Sequence, residues 1–420
     1  MINKDIAIVI LNSVQFLNIR FGIDELLKKN LKIDIYIPIE NNKNGFERMF
    51  DDVFNEMKDL GYNPKRILKD NIHYKILLEP YPMEYYKFNF DYRIKYRYGI
   101  LCAKPNPVYD PYHFLCYDAI LCNSYEEANY LSNFSKTYLI GNMKYINYNK
   151  KSIKNKKPIL LYLPTYGEFN STKDVIKELE KLKYDYTIIT KMHHGTSFLN
   201  SENDNFKKIN EMSDEVYDSH TELVKLFEKA DVVLSDNSGA IFESLYAEVP
   251  VAICSKNINK KLMEFDTYQY ILVKNDIIPY TSNPKELSKI LKEALKKEYI
   301  NKQKNIRNQM FFIPNNLTKD FVDIIFSYIN GTFDLRYKQL HDVLVSDYYN
   351  SKNLIKINDK KIANLNQQLY DMSVNLDNLT SKFNQCSMEL NYYRTGKLYK
   401  FSKKIYEIKN SIFRRDKNER

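Results

Sequence analysis

The chain has 420 residues, of which 44% are hydrophobic, and a formal net charge of +10. This length can bury the cores of two globular domains of ordinary size. The five cysteines show no paired metal-ligand spacing, which argues against a disulfide framework and indicates free thiols in a reducing compartment. Each apolar run is too short to span a bilayer, so we expect a cytoplasmic protein without a transmembrane helix.

The first 150 residues alternate short apolar strands with amphipathic helices. The pattern predicts strands at 6–11, 33–39, 74–78, 118–122 and 138–140, and helices at 16–27, 46–60 and 126–131. Strands that alternate with helices are typical of a parallel, doubly wound α/β sheet. We therefore assign residues 1–150 to one Rossmann-like domain.

A polar, basic segment at 149–158 interrupts this alternation and is interpreted as a linker. Beyond it the pattern predicts strands at 159–163, 186–190, 232–234 and 249–253. Helices are predicted at 173–182, from a capping box at 219–222 to about residue 230, at 241–246, from Asn283-Pro284 onward, and at 320–329. Residues 151–335 would form a second Rossmann-like domain, and the cleft between two such domains is a preferred ligand site.

The segment 336–393 has a different pattern. From residue 355 the apolar side chains recur at alternating spacings of three and four, which predicts a coiled coil and a homo-oligomer formed through 355–393. The alternative is a long amphipathic helix packed on its own globular domain. Asn358 is the polar exception in the seam. One seam position holds Ile355, Ile362, Leu369, Leu376, Phe383 and Leu390, and the other holds Leu365, Met372, Leu379, Cys386 and Tyr393.

Residues 394–420 contain ten basic and three acidic residues, and so carry +7 of the net charge. An apolar stripe runs through this tail at Leu398, Phe401, Ile405, Ile408 and Ile412. A basic amphipathic helix is typical of binding to an anionic membrane surface. Nucleic acid is the competing partner, but the apolar stripe favours lipid; a solvated continuation of the coil is the remaining alternative.

Three stretches with polar or basic side chains follow predicted strands of the second half. They contain Thr165, then Lys191-Met192-His193-His194, then the turn 235–239. Because parallel strands end at one edge of a sheet, we expect all three stretches to meet there. Lysine and histidine can meet phosphate charge, or one imidazole can act as a general base. Alternatively, the turn is part of an ordinary βαβ unit whose polar side chains only cap a helix.

The turn 235–239 precedes a predicted helix, whose free N–H groups and positive dipole end suit a phosphate. The chain has no Walker loop and no G-x-G-x-x-G after its first strand. We therefore predict a nucleotide held by a helix start and not by a glycine-rich loop.

The motifs YLPTYG, KMHHG and LSDNSGAIFESLYAEVPVAI, in this order and spacing, resemble those of the CDP-glycerol glycerophosphotransferases of teichoic-acid and capsule assembly. The resemblance covers about residues 70–255. It implies a GT-B-like architecture of two Rossmann-type domains and a CDP-activated glycerol donor. We expect no cofactor and no metal, because the helix dipole and basic side chains supply the positive field. It implies pyrophosphate binding by His193, Ser235, Asp236, Ser238 and Gly239, and donor or ribose binding by Glu243. We add Thr165, Lys191 and His194 to the predicted phosphate-binding set.

One position departs from the family pattern. The family has a W-H-G motif whose histidine is the general base, and the matching place here is Arg97-Tyr98-Gly99. A tyrosine of ordinary pKa, near 10, is a poor base at neutral pH. His113 and His73 are the candidates to replace the base, and Lys104 resembles a lysine of the family.

The sequence thus predicts a transferase of surface-polysaccharide assembly, peripheral to the inner face of the cell membrane. His193, Asp236 and His113 are the predicted catalytic residues. The donor would be CDP-glycerol or another nucleotide-activated substrate, and the acceptor a lipid-linked or polysaccharide hydroxyl. The alternatives are a GT-B glycosyltransferase or UDP-sugar epimerase-like enzyme, or an inactive scaffold. Nucleic acid is not an expected partner.

Overall fold

Two parallel six-stranded sheets dominate the computed structural model, and this confirms the predicted α/β class. The structure describes residues 2–39, 47–66, 72–81, 89–97, 99, 111–150, 157–193, 196, 200–218, 220–256 and 268–415. The chain divides into two units, Met1–Val345 and Ser346–Arg420, which are described separately.

The first sheet has the strand order β2-β1-β3-β4-β5-β6, with every pair parallel. Helix α1 begins where the Asn12 side chain accepts a hydrogen bond from the Gln15 N–H (2.9 Å). The strands are β1 Ile2–Val9, β2 Ile33–Tyr36, β3 Ile72–Glu79, β4 Asn89–Tyr96, β5 Ala119–Cys122 and β6 Lys136–Leu139; the helices are α1 Ser13–Leu27, α2 Glu47–Asp59 and α3 Tyr125–Leu131.

The second sheet has the order β12-β11-β10-β7-β8-β9 and is also parallel. Its strands are β7 Ile159–Leu163, β8 Thr187–Lys191, β9 Glu215–Tyr217, β10 Val232–Ser235, β11 Val251–Cys254 and β12 Tyr280–Thr281. The helices that follow α3 are α4 Thr172–Leu182, α5 Asn203–Met212, α6 Leu223–Lys229, α7 Ala240–Tyr246, α8 Tyr268–Lys274, α9 Leu287–Ala294, α10 Lys297–Met310 and α11 Lys319–Asn330. This strand order reverses between β7 and β10, where ligands of doubly wound sheets bind.

The strand β4 was absent from the sequence prediction. Arg93 and Lys95 alternate with apolar residues along it, and both side chains are nevertheless buried or nearly so. Charged residues at buried positions hide the apolar pattern on which strand prediction depends.

The predicted capping box at 219–222 is wrong. Glu222 occupies the N-cap of α6 with no side-chain hydrogen bond to the helix. Asp218 instead accepts hydrogen bonds from the backbone N–H groups of His220 and Thr221, each at 3.1 Å. Ser219 and residues 151–156 of the predicted linker lie outside the described residues.

Helix α11 belongs to the core of the first sheet, although its sequence position led us to assign it to the second half. Phe321, Ile325 and Tyr328 are buried among the side chains of β1, β3 and α1. The helix ends at Gly331 in the left-handed conformation, as its Asn-Gly sequence predicts. The chain therefore leaves the first half after β6 and returns to it after α10.

The second unit contains most of helix α12 (Leu335–Thr395) and all of helix α13 (Lys397–Arg415). Every residue from 351 to 395 is exposed. The helix agrees with the predicted segment 336–393, whereas the coiled coil stays a prediction because one chain is described.

Gly141 marks the point where the chain leaves the first sheet. Its φ is +69°, and a Cβ there would lie 2.5 Å from Pro314 Cδ on the returning segment. A side chain would therefore strain the backbone and also separate two segments that join the halves.

We predict that Gly141→Ala lowers the free energy of unfolding by roughly 2–5 kcal/mol, because about 1–2 comes from the left-handed backbone and about 1–3 from overpacking. Denaturant unfolding measures the change. Gly61→Ala is the matched control, since Gly61 has a φ of +86° but no atom within 4 Å of the added Cβ. Equal losses in the two variants would contradict the role of the Pro314 contact.

Candidate functional site

A cleft of about 220 Å³ lies between α1 and the carboxyl-end loops of the second sheet. Val14, Leu17 and Phe21 of α1 contribute an apolar wall. Five of the predicted site residues line the cleft: Lys191, His193, Ser238, Gly239 and Glu243. The expectation that β7, β8 and β10 direct their loops to one place is therefore met for the described residues.

Thr165, Ser235 and Asp236 lie beneath the cleft and are buried. The Asp236 carboxylate accepts hydrogen bonds from the Thr165 N–H (2.9 Å) and from the N–H and hydroxyl of Ser171 (both 3.0 Å). Ser235 donates its hydroxyl to the Leu163 carbonyl (2.7 Å). These contacts hold the loop after β7 against the turn after β10, so they position the cleft residues.

Several residues singled out from the sequence cannot be placed. His194 lies outside the described residues, as do Tyr98 and Lys104. The backbone of His113 falls in the 3-10 helix Pro111–Cys116, but its side chain is outside the described part of the chain.

His73 is the second residue of β3, and its Nε2 lies 2.9 Å from Asp91 Oδ1. At about 3.3 Å per residue, it is roughly 20 Å from the carboxyl end of the strand. This position argues against the predicted role of His73 as the base.

The imidazole of His193 stacks on the ring of Tyr166, with ring centroids 4.5 Å apart. Its backbone carbonyl accepts a hydrogen bond from Thr196 (2.9 Å). The stacking orients the ring, and the hydrogen bond holds the main chain that carries it directly after β8. The pairing of Tyr166 with His193 was not predicted, because the two residues follow different strands.

Lys191 is half-buried, and its ammonium donates to the Asp218 carbonyl (2.8 Å). Burial lowers the pKa of Lys191 to about 8; the Asp218 and Glu243 carboxylates oppose that shift, and the Lys144 ammonium adds to it. Near neutral pH the group is therefore cationic but poorly hydrated, which strengthens its attraction for an anion.

Glu243 connects the cleft to the first half of the chain. Its carboxylate pairs with Lys144 and accepts a hydrogen bond from the Tyr145 hydroxyl (3.1 Å). Lys144 also lines the cleft, and so does Arg20, whose guanidinium lies 3.7 Å from Glu222. Sequence reasoning missed Lys144 and Arg20, since neither follows a strand directly.

Asn237 is fully buried in the turn after β10. Its side-chain amide makes no hydrogen bond with any described residue through either polar atom. An unpaired buried amide costs about 1–3 kcal/mol, so a polar partner at this turn would stabilise it. The sequence had not singled out Asn237 among its polar neighbours.

Buried charges also cluster at the carboxyl edge of the first sheet. Arg93 Nε lies 2.5 Å from Glu79 Oε1, and Arg97 Nε lies 2.5 Å from Glu127 Oε1. Lys95 is 1% exposed, and burial lowers its pKa to about 7. The rings of Tyr81, Phe114 and Tyr117 surround its ammonium. Lys95 is therefore enclosed by aromatic rings at this edge of the first sheet and lies outside the cleft lining.

Among the described residues, Asp118, His341 and Asp342 have the spacing of metal ligands. The Lys338 ammonium lies 2.7 Å from Asp118 Oδ1 and also pairs with Asp342. A lysine thus supplies the positive charge that a metal would supply, so we assign this group a structural role.

No protein-family model and no curated protein matches the sequence. Solved structures do match. The wall teichoic acid polymerase TagF superimposes with a TM-score of 0.52 at 13% identity, over 78% of this chain and 89% of that chain. A putative UDP-N-acetylglucosamine 2-epimerase from Listeria monocytogenes gives 0.52 at 12% identity, over 80% and 98%. MnaA of S. aureus bound to UDP gives 0.50 at 13% identity, over 78% and 97%.

The chain has a GT-B fold. The two parallel six-stranded sheets with their helices are the feature that it shares with such structures. At identities of 12–13% the similarity establishes the fold alone.

We predict that anion binding in the cleft depends on the charge of Lys191. A bound diphosphate raises the pKa of Lys191, so binding takes up a proton and weakens as the pH rises through about 8. Calorimetry with inorganic pyrophosphate at pH 7 and pH 9 measures the affinities of the wild type and of Lys191→Met.

The ratio of the wild-type affinity to the Lys191→Met affinity should fall by up to roughly tenfold between pH 7 and pH 9, because about nine-tenths of Lys191 is neutral at pH 9. Ionisation of the ligand cancels in this ratio. Lys173→Met, at an exposed position of α4, is the control and should follow the wild type. If the ratio of wild-type to Lys191→Met affinity does not change with pH, Lys191 does not bind the anion.

Proposed function

We propose that this protein is a transferase of cell-surface polymer assembly that holds a nucleotide-diphosphate donor in its cleft. The observation that carries the proposal is the meeting of Lys191, His193 and Ser238 at the point where the strand order of the second sheet reverses. TagF, a wall teichoic acid polymerase, shares the fold, and so do enzymes named as UDP-N-acetylglucosamine 2-epimerases.

The chemistry of the cleft suits a diphosphate. Lys191 supplies positive charge, Lys144 is paired with Glu243 in the same cleft, and the Ser238 hydroxyl and the Gly239 backbone also line it. The buried amide of Asn237 is available to donate from the same turn. Charged groups in a partly dehydrated site bind phosphate more strongly than they would in water.

In our preferred reaction the donor is CDP-glycerol. An acceptor hydroxyl attacks the phosphorus that bears the glycerol, the bond from that phosphorus to the CMP oxygen breaks, and CMP leaves with the electron pair. His193 would stabilise charge on the phosphates, and a base would take the acceptor proton. His113 stays the candidate base.

The alternative donor is a UDP-sugar, and MnaA was solved with UDP bound. A glycosyltransferase would release UDP, whereas an epimerase would change the sugar without releasing free nucleotide. The class of product therefore distinguishes the reactions: CMP, UDP or an isomerised UDP-sugar. A scaffold that has lost catalysis would bind neither nucleotide at millimolar concentration.

The test begins with thermal-shift titrations of CDP and UDP, followed by incubation of the protein with CDP-glycerol and with UDP-N-acetylglucosamine. Product analysis by chromatography reports CMP, UDP or the epimer. A larger shift with CDP and release of CMP support the proposal. Preference for UDP with a UDP-derived product supports the alternative, and the absence of any shift supports the scaffold.

We predict that His193→Ala lowers the turnover of the preferred donor by roughly 10²–10³-fold, since removal of one donor that stabilises developing charge typically costs that much. The melting temperature should stay within about two degrees, because His193 is a half-buried residue at the cleft, outside the hydrophobic core. His73→Ala is the matched control, because His73 lies at the amino end of β3, away from the carboxyl end of that strand. Retained turnover in His193→Ala refutes the role of the imidazole.

We also propose that α13 attaches the protein to the inner face of the cell membrane. Leu398, Phe401, Ile405 and Ile408 are exposed along this helix, and basic side chains crowd the rest of it. None of the described helices combines the length and the hydropathy needed to cross a bilayer. Contact through one amphipathic face is the mode that such a helix supports.

Deletion of 394–420 should abolish co-sedimentation with vesicles that contain anionic phosphatidylglycerol, because it removes ten basic residues and the apolar stripe. The double variant Leu398→Ser and Phe401→Ser keeps every charge. It should bind several-fold more weakly if the stripe enters the lipid, and as the wild type does if attachment is purely electrostatic. Unchanged sedimentation of the deletion variant would contradict membrane attachment.

A further inference from the structure

The carboxyl-terminal part of helix α12, from Ile355 to Tyr393, presents an apolar seam with Asn358 as its polar exception. Ten of its seam side chains are large hydrophobics, Tyr393 among them, and each is between 54% and 73% exposed. Burying each of them fully is worth about 1.5–3 kcal/mol, so a solvated seam is a large unfavourable term. A partner that covers this seam would therefore stabilise the helix.

The spacing of the seam identifies the kind of partner. A hydrophobic period of 3.5 residues matches a second helix that supercoils around the first, and not a flat surface. Another copy of the same helix carries the same period over the same length. The seam is thus complementary to itself from Ile355 to Tyr393.

The residue types at the start of the seam favour two parallel strands. Ile355 and Ile362 are β-branched at the first seam position and Leu365 follows at the second, a combination that favours parallel dimers. The later first positions hold Leu369, Leu376, Phe383 and Leu390.

Asn358, the polar exception in the seam, can distinguish one register from another. In a parallel, in-register pair its amide faces the same amide of the partner and can share a hydrogen bond. In an antiparallel pair with aligned ends it would face Leu390 and lose that partner.

The flanking positions agree with this arrangement. In the parallel register Glu389 faces Arg394 of the partner subunit, which is an attractive pair. The other flanking residues between 366 and 387 are uncharged, apart from Lys382 opposite Ser387 of the partner subunit, so no like charges meet there.

We infer that two copies of this chain dimerise through residues 355–393 as a parallel, in-register, two-stranded coiled coil. Cys386 occupies the seam and is exposed in the single chain. In the dimer the two Cys386 thiols face each other. The inference is independent of the donor and of the reaction.

The experiment is disulfide mapping on the full chain. Diamide oxidises facing thiols: the two sulfurs bond, and the two hydrogens pass to the diamide. The wild type should give a cross-linked dimer on a non-reducing gel, and Cys386→Ser should not. In solution, the mass of both by light scattering should be twice the 50.1 kDa of one chain.

Two further variants fix the orientation. Ile362→Cys in the Cys386→Ser background should cross-link in a parallel dimer, because residue 362 faces itself. In an antiparallel dimer residue 362 would face residue 386, so only Ile362→Cys with Cys386 retained would cross-link. Ser381→Cys in the Cys386→Ser background places a thiol on the outer face and is the matched control for random collision.

A monomer mass overturns the inference, and a mass of three or more chains overturns the two-stranded assignment. Cross-linking that requires both residue 362 and residue 386 as cysteines overturns the parallel orientation. Equal cross-linking of the Ser381→Cys control would show that collision, and not the seam, brings the thiols together.

Discussion

The buried carboxylate of Asp236 holds together the loops from which the cleft is built. A carboxylate removed from water is stable only when hydrogen bonds replace its hydration. Here the backbone of Thr165 and both donors of Ser171 provide them. Tyr166 follows Thr165 directly, and its ring supports the imidazole of His193. The position of His193 therefore depends on a charge that the cleft does not expose.

A second constraint ties this half of the cleft to the other half of the chain. Asn142 donates its N–H to the Tyr246 hydroxyl (3.2 Å), and Tyr148 donates to the Ala247 carbonyl (2.6 Å). Both acceptors belong to α7 or its C-cap, and Glu243 of the same helix holds Lys144 and Tyr145. A ligand that contacts α7 thus contacts a helix that is hydrogen-bonded to residues 142–148, the segment that follows the first sheet.

The alternation of strands and helices was sufficient to predict the parallel sheets, because hydrophobic periodicity reports burial directly. It failed at β4, where Lys95 is buried among aromatic rings. It also misplaced α11. An amphipathic pattern shows which face of a helix is apolar but not which core that face will meet.

The candidate site was predictable to the extent that it lies at strand ends. Lys191, His193 and Ser238 were found in this way. The structural role of Asp236 was not, because its partners lie 71 and 65 residues away in the sequence. Local patterns carry no information about such pairs. Lys144 was missed for a related reason: it lies in the 3-10 helix Met143–Tyr145 and reaches the cleft only through the packing of the two halves.

The return of α11 to the first core affects the order in which the protein can fold during synthesis. A Cβ on Gly22 would lie 2.7 Å from the Phe321 ring, so α1 and α11 pack with almost no space between them. The ribosome makes these helices about 300 residues apart. The apolar surface of the first core that α11 covers therefore stays exposed until nearly all of the second sheet has been synthesised. Contacts between residues so distant in sequence also form slowly. The second half, encoded later, can complete its core first.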